Sequence, residues 1–509
     1  MNIDIVQHSP ALILAIPLLF AFLTPIVDRI SEKGRDAILF LGLFIMAFFV
    51  SVMAYEVYTV GGWSYVFGGG TATPNGTGSS FFRILFVADG ISAMASITLT
   101  ISAIGAAIYS YKFMEHDTGL NKFNTLFLLM IAGVNGMVLT GDLFNLFVWF
   151  EVASVSSAAL IAFKNYEGEA VEAALKYMIL SVVAGLFFLL SIGFLYGQYG
   201  VLNFQLLAEN ITGTNLDKIA LTILVVVLAL KAGAVPLHFI IPDAYSMAPG
   251  SVTAVLVVAS QAGLWVLFRV VFTLYGLAVN TFTLGWIVIV LGILSMFIGV
   301  TMALVQKTVK RLMAYHAISQ TGYMLLGVGV GLAVLGQPEM DIYGRLAMEG
   351  GIFHIINHAM YKGLLFMTAG VIIYETGKRK LDELGGLGHS MKWTMVFFMI
   401  GALAIAGIPP FNGFASKLMI YKSVYSFNPL LSIIAMVVSI LTLASFVKVF
   451  HSIFMGPKDE SVSKTTEAPK PMLLGMAILA GVVILFSLFP GLVVSTIVEP
   501  AVEALGVIV

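Results

Sequence analysis

Seven ionisable side chains fall inside long apolar runs of this sequence: Glu151, Lys231, His316, His354, His358, Lys362 and Lys417. A charge at the centre of a membrane helix costs roughly 2.5–3.5 kcal/mol on insertion scales. Seven such costs are hard to explain by packing alone. A row of carboxylate, amine and imidazole groups can hand protons along. Lys231 closes the run TILVVVLAL, and Gly233 and Pro236 follow it. Proline removes a helical N–H and glycine eases unwinding. Residues 231–254, KAGAVPLHFIIPDAYSMAPGSVTA, therefore read as a broken helix beside an intramembrane lysine. The competing reading is a helix that ends early, its lysine snorkelling to the interface.

Glu151 lies in TGDLFNLFVWFEVASVSSAAL. An unpaired carboxylate there favours its neutral form, so it needs a cation or water. Lys231 is equally stranded and is the expected partner. Counted from the outer helix ends, the two start roughly 11 and 20 Å deep. A structural ion pair is the alternative. Asp142 reads as the N-cap of the same helix. Lys176 and His238 are further candidates, one in the first turns of the next span and the other just after the break. His354, His358 and Lys362 stand at i, i+4 and i+8, on one helix face over about 12 Å. That ladder suits proton hopping through water. Metal or haem held by the two histidines is the rival, but Glu349 lies off that face and the chain has no cysteine. His316 follows Lys310 and Arg311, which are expected at headgroups. Lys417 follows a second break, GIPPFNG, where Ser416 and Asn412 could solvate it.

The elements that carry these groups must be membrane helices. The 509 residues are 59% hydrophobic and 10% charged. Soluble domains carry about 25% charged residues. The expected fold is an all-α polytopic membrane protein with about 14 transmembrane helices. The spans are placed near 10–28, 36–58, 83–110, 123–140, 144–163, 172–195, 218–242, 249–273, 282–304, 309–334, 349–374, 393–421, 429–454 and 472–493. Continuous apolar runs argue against strands. Sixteen basic residues, from Arg29 to Lys470, fall on one side of this arrangement. Four fall on the other: Arg83, Lys218, Arg345 and Lys422. The positive-inside rule then puts both termini outside, in a cell membrane. A glycine-rich outer loop over 59–82 holds an NGT sequence at 75–77, and 455–471 read as a cytoplasmic linker. The start, MNIDIVQHSP, lacks the basic n-region of a signal peptide.

Ala232-Gly233-Ala234-Val235-Pro236 is echoed by Ala406-Gly407-Ile408-Pro409-Pro410. The two lie in the seventh and twelfth spans, five apart, so their helices run oppositely, as an inverted repeat requires. The expected organisation is 1–122 for helices 1–3, 123–275 for a five-helix repeat (helices 4–8), 276–454 for its inverted copy (helices 9–13), and 455–509 for the linker and helix 14. Helices 7 and 12 are the discontinuous ones.

FVWFE, KAGAVPLHFIIPDAYSMAP, KRLMAYHAISQTGYM, FHIINHAMYKGLLF and GIPPFNGFASKLMIY resemble the signatures of antiporter-like membrane subunits. That family includes the D-type member of Mrp-type sodium/proton antiporters and the antiporter-like subunits of membrane-bound hydrogenases and complex I. The resemblance runs from about residue 83 to 454. It implies fourteen spans with inverted repeats of five, a Glu151–Lys231 pair, a central histidine–lysine axis, and Lys417 as terminal lysine. Three departures stand out: Thr308 where the family usually has aspartate, His316 where serine is frequent, and no lysine at the centre of the eighth span. There Ser260 and Gln261 are expected to hold water.

The expected function is translocation of protons, with sodium as a second candidate ion, within a multisubunit membrane complex. That complex is either a cation/proton antiporter or a redox pump resembling a membrane-bound hydrogenase or complex I. The alternatives are a self-sufficient secondary antiporter and a purely structural subunit. No residue pattern forms a redox or hydrolytic site, and no cofactor or metal is expected. Expected partners are other integral membrane subunits, H⁺, Na⁺ as the second candidate ion, and the lipid bilayer, and not nucleic acid.

Overall fold

The computed structural model describes residues 5–67, 84–457 and 465–506. Arg83, Lys458, Lys464, the NGT sequence and most of the 59–82 loop lie outside these residues. Eleven of the described helices are long and apolar enough to cross a membrane. The chain opens with α1 (Ile5–Asp28) and α2 (Glu32–Thr59), then β1 (Trp63–Val66) and β2 (Leu85–Ala88). These two strands pair antiparallel, Trp63 opposite Ala88. This corrects the expectation of a purely helical chain. Four-residue strands carry too little periodicity to show beside membrane helices.

After them come α3 (Gly90–Phe113), α4 (Leu120–Leu139), α5 (Leu143–Ile161), α6 (Gly168–Tyr199) and the short α7 (Phe204–Asn210). Next are α8 (Asn215–Ala232), α9 (Ile240–Met247) and α10 (Gly250–Phe268), which continues as a wider π turn over Arg269–Leu274. Then follow α11 (Thr281–Leu304), α12 (Val309–Ala333), α13 (Arg345–Thr376), α14 (Lys392–Ala406), α15 (Asn412–Phe427), α16 (Pro429–Phe454) and α17 (Lys470–Leu488). Two short helices, α18 (Pro490–Val493) and α19 (Glu499–Glu503), close the described chain.

The two sequence breaks fall where proline and glycine place them. α8 ends at Ala232, Gly233 takes φ +73°, and α9 begins only at Ile240. α14 ends at Ala406, Gly407 takes φ +74°, and α15 begins at Asn412. The hydrogen bonds match as well. Ala234 N donates to Ala229 O at 2.9 Å, and Ile408 N donates to Leu403 O at 3.1 Å. Each bond reaches back five residues around a left-handed glycine, which closes the first half-helix. Val235-Pro236 and Pro409-Pro410 are both cis. The first break gains one more tie: Val235 N donates to Ser295 Oγ of α11 at 2.9 Å.

α12 and α13, which carry His316, His354, His358 and Lys362, lie in the interior. α12 is buried throughout Leu312–Ala333, and α13 throughout Ala347–Ile372. Their polar side chains can be satisfied only by protein, so lipid-facing positions go to the more apolar helices. Small residues allow the close packing this needs. An ideal Cβ on Gly299 of α11 would lie 2.5 Å from Ser319 N of α12, and one on Gly292 would lie 2.9 Å from Gly322 O. Both would press on backbone, which cannot rotate away.

Gly299→Val should therefore separate α11 from α12 and lower stability by roughly 1–3 kcal/mol, the usual cost of overpacking. Gly197→Ala on α6 should leave it unchanged, because no atom approaches within 4 Å. Thermal unfolding of the purified complex compares the two. Equal melting would contradict the packing argument.

Candidate functional site

Lys231 ends α8 and is 1% exposed. Its Nζ donates to Ser154 Oγ of α5 at 2.7 Å and to Tyr177 OH of α6 at 3.0 Å. It also lies 4.7 Å from the Phe150 ring centroid and 5.2 Å from that of Tyr177. Hydroxyls and ring faces thus replace part of the water an ammonium loses. Gly263 of α10 leaves room behind the lysine stem, since an ideal Cβ there would lie 3.2 Å from Lys231 Cβ.

Glu151 does not form the expected direct ion pair. Among the described residues Lys231 is bound by Ser154 and Tyr177, while Glu151 Oε1 has no hydrogen-bond partner. The carboxylate is half-buried against α6, where an ideal Cβ on Gly185 would collide with Oε1. The physical reason for the missing pair is helix geometry. Ser154 stands one turn beyond Glu151 on the same helix, so it reaches the lysine first.

The central groups come from α13. The acceptor-only Gln320 Oε1 of α12 lies 3.1 Å from His354 Nε2 and places the proton there, leaving Nδ1 to accept from Ser416 of α15 at 2.9 Å. Tyr361 OH lies 3.3 Å from the same Nε2. His358 Nδ1 accepts from Gln261 Nε2 of α10 at 2.6 Å. Lys362 is fully buried, with Phe366 and Phe446 ring centroids at 5.6 and 5.8 Å. His316 Nε2 meets Ser445 Oγ of α16 at 2.8 Å, and its ring packs on Phe446 at 4.8 Å. The i, i+4, i+8 ladder is therefore not a hydrogen-bonded chain. His354 is held by α12 and α15 and His358 by α10, while no hydrogen bond holds Lys362. His316 Nδ1, His358 Nε2 and Lys362 Nζ have no partner among the described residues, although all three residues are buried. A cavity of about 10 Å³ lies between Ala232 at the first break and Gln261, Thr321 and His358.

Lys417 sits on the first turns of α15, 1% exposed. Its Nζ turns back to the last turn of α14, donating to Ile405 O at 2.8 Å, and to Ser439 Oγ of α16 at 3.1 Å. The Tyr323 ring lies 4.6 Å away and also packs against His354. The helix break supplies this site: Ile405 O is free because α14 stops. The expected solvating groups are engaged elsewhere. Ser416 serves His354, and Asn412 exchanges hydrogen bonds with Asn357.

Other candidates are placed outside the row. Asp142 caps α5 by accepting from Asn145 N at 2.8 Å. Lys176 is half exposed and paired with Glu172 at 2.7 Å and Asp243 at 3.2 Å. His238 is half-buried, its Nδ1 3.3 Å from Pro236 O and its ring stacked on Phe239. Lys310 and Arg311 do not simply meet headgroups. Lys310 is buried and donates to Ala248 O, and Arg311 pairs with Asp243 at 2.6 Å. Gln261 binds His358 directly, and Ser260 accepts from Tyr245 OH at 2.8 Å. Sequence reading missed Tyr177, Ser154, Asp243, and the buried Arg269–Asp89 pair at 2.7 Å. Asp243 carried the one available signal, a carboxylate within the broken segment. Among the described residues no three His, Asp or Glu side chains gather as a metal site.

These features define a polytopic membrane protein with a buried row of ionisable groups and two broken helices. The chain belongs to the NADH:quinone oxidoreductase/Mrp antiporter transmembrane family, which it matches over residues 140–442. It is 31% identical over 453 residues to the D-type component of the Na(+)/H(+) antiporter of Alkalihalophilus pseudofirmus, covering 87% of this chain and 86% of that one. Its fold is similar to a chain of the membrane-bound sulfane sulfur reductase, an archaeal respiratory membrane complex. That match has a TM-score of 0.85 and 26% identity, over 99% of this chain and 100% of that one. A chain of the Mrp complex from Dietzia sp. matches with a TM-score of 0.81 and 25% identity, over 99% and 98%.

Removing both hydroxyls around Lys231, by Ser154→Ala with Tyr177→Phe, should destabilise the protein by about 1.5–3 kcal/mol for each lost bond to a charged group. Adding Lys231→Met to that pair should restore most of the melting temperature, because the stranded charge is gone. Thermal unfolding of the three variants checks this. A further drop on adding Lys231→Met would show that the lysine is not what the hydroxyls serve.

Proposed function

We propose that this chain is a proton-translocating subunit of a multisubunit membrane complex. The observation that carries this reading is the row from half-buried Glu151 through the buried Lys231, His358, Lys362, His316 and His354 to Lys417, with a helix break beside each end lysine. Lys231 and Lys417 each end at a half-helix boundary, where a few hydrogen bonds hold the charge and a small shift can release it. Protons are favoured over sodium because the row is mostly nitrogen, and sodium, a hard cation, takes oxygen ligands. Electron-carrying partners are not needed by this chain's own residues. Whether gradients or redox chemistry drive the complex is set by its other subunits. Relatives of both kinds support the assignment.

The same reading orders the chain as fourteen crossings, with α8–α9, α12 and α14–α15 added to the eleven long apolar helices. Residues 123–275 and 276–454 then form the two inverted repeats, flanked by 1–122 and 455–509. The matching hydrogen bonds at the two breaks support that symmetry. The excess of basic loop residues supports termini on the outer face of the cell membrane.

Lys417→Ala should leave the complex assembled but cut proton-coupled transport at least several-fold in proteoliposomes. Subunit composition and pH-sensitive dye traces are read on the same preparation. Full transport by a well-assembled variant would overturn the role of the row's far end.

A further inference from the structure

A groove of about 480 Å³ runs along the outside of the chain between α8 and α11. Its walls are two helical stripes, Lys218 to Ala229 on α8 and Asn280 to Leu291 on α11, and it is closed at the first helix break by Pro236 and Leu237. The eleven helical rises from Lys218 to Ala229, at 1.5 Å each, make it about 16 Å long. Its depth is apolar, with Val226 46% and Ile287 47% exposed on its rims. Its mouth is polar and holds one cation, exposed Lys218. The adjacent Asp217 forms no ion pair with that lysine and turns to other donors. Its carboxylate accepts from Thr214 N and Tyr199 OH, each at 2.8 Å.

We propose that this groove binds one anionic phospholipid, with its phosphate at Lys218 and one acyl chain lying inward to Pro236. The lining is mostly apolar away from the mouth, which suits one acyl chain laid along α8 with its headgroup at the polar end. The closed end at Pro236 also stops any element from passing through. A lysine near the surface adds attraction for an acidic headgroup, which selects anionic lipid over zwitterionic. The tail ends beside Ala229 and Pro236, so it fills the space that the broken helix opens on its lipid side, opposite the cage around Lys231. The site requires only that α8 and α11 span the membrane, and it is independent of the ion row.

Native mass spectrometry of the purified complex, with phosphatidylglycerol or phosphatidylcholine added in turn, tests the site. Wild type should keep one phosphatidylglycerol per chain that Leu291→Trp, which fills the groove, does not keep. Lys218→Ala, on an exposed side chain that packs no core, should weaken that retention about fivefold, the effect of one lysine near an anionic surface. Equal retention of the two lipids by wild type, or unchanged phosphatidylglycerol retention in both variants, would overturn the proposal. The chain has no cysteine, so Ile287→Cys gives a single reporter on the groove rim. Its cross-linking into a partner subunit would show a protein occupant and would equally overturn it.

Discussion

The burial of Lys231 is the constraint on which the rest depends. An ammonium in an apolar interior is tolerated only when its protons find acceptors. Here Ser154 and Tyr177 supply two, and the faces of Phe150 and Tyr177 supply more. That cage draws α5, α6 and α8 together. It requires α8 to stop at the lysine and α10 to carry Gly263 behind it. Lys417 meets the same constraint by a different route. It takes a carbonyl that the end of α14 leaves free, and Ser439 completes the cage. Each buried amine thus sits beside a helix break set by glycine and proline, and each is held by two hydrogen bonds that a modest shift would undo.

Between the two amines, the groups on α13 are distributed rather than chained. His354 is tied to α12 and α15, His358 to α10, and His316 of α12 to α16. α10 holds His358, whereas α12, α15 and α16 each contact two of the titratable groups, so helix movement couples neighbouring members of the row. Such coupling suits the passing of protons from one member to the next. Glu151, at the edge of the row against Gly185, is the member most open to a charge from outside the chain.

Much of this was legible in local sequence. Helix spans follow from the length of apolar runs, and the breaks from Gly233, Pro236, Gly407 and Pro409, because these effects need no tertiary partner. Asp142 as a cap is local in the same sense. The partners of the charges were not legible. Tyr177 and Ser154 lie 54 and 77 residues from Lys231, and which of them faces it depends on the rotation of two helices that apolar periodicity leaves unspecified. For the same reason Ser416 was expected beside Lys417, its sequence neighbour, yet serves His354. Lys310 was expected at headgroups because it follows a basic loop. It is buried because the short α9 stops at Met247 and the Ala248 carbonyl just beyond it accepts from the ammonium.

We propose that Glu151 and Lys231, although not directly paired, act as one switch in proton transfer, with Ser154 and Tyr177 holding the lysine. A double-mutant cycle on proton-coupled transport tests it most directly, using Glu151→Gln, Lys231→Ala and both together in assembled complex. One switch predicts that each single variant abolishes coupled transport and that the double variant is little worse than either. Full transport in Glu151→Gln, or losses that simply add, would contradict the account.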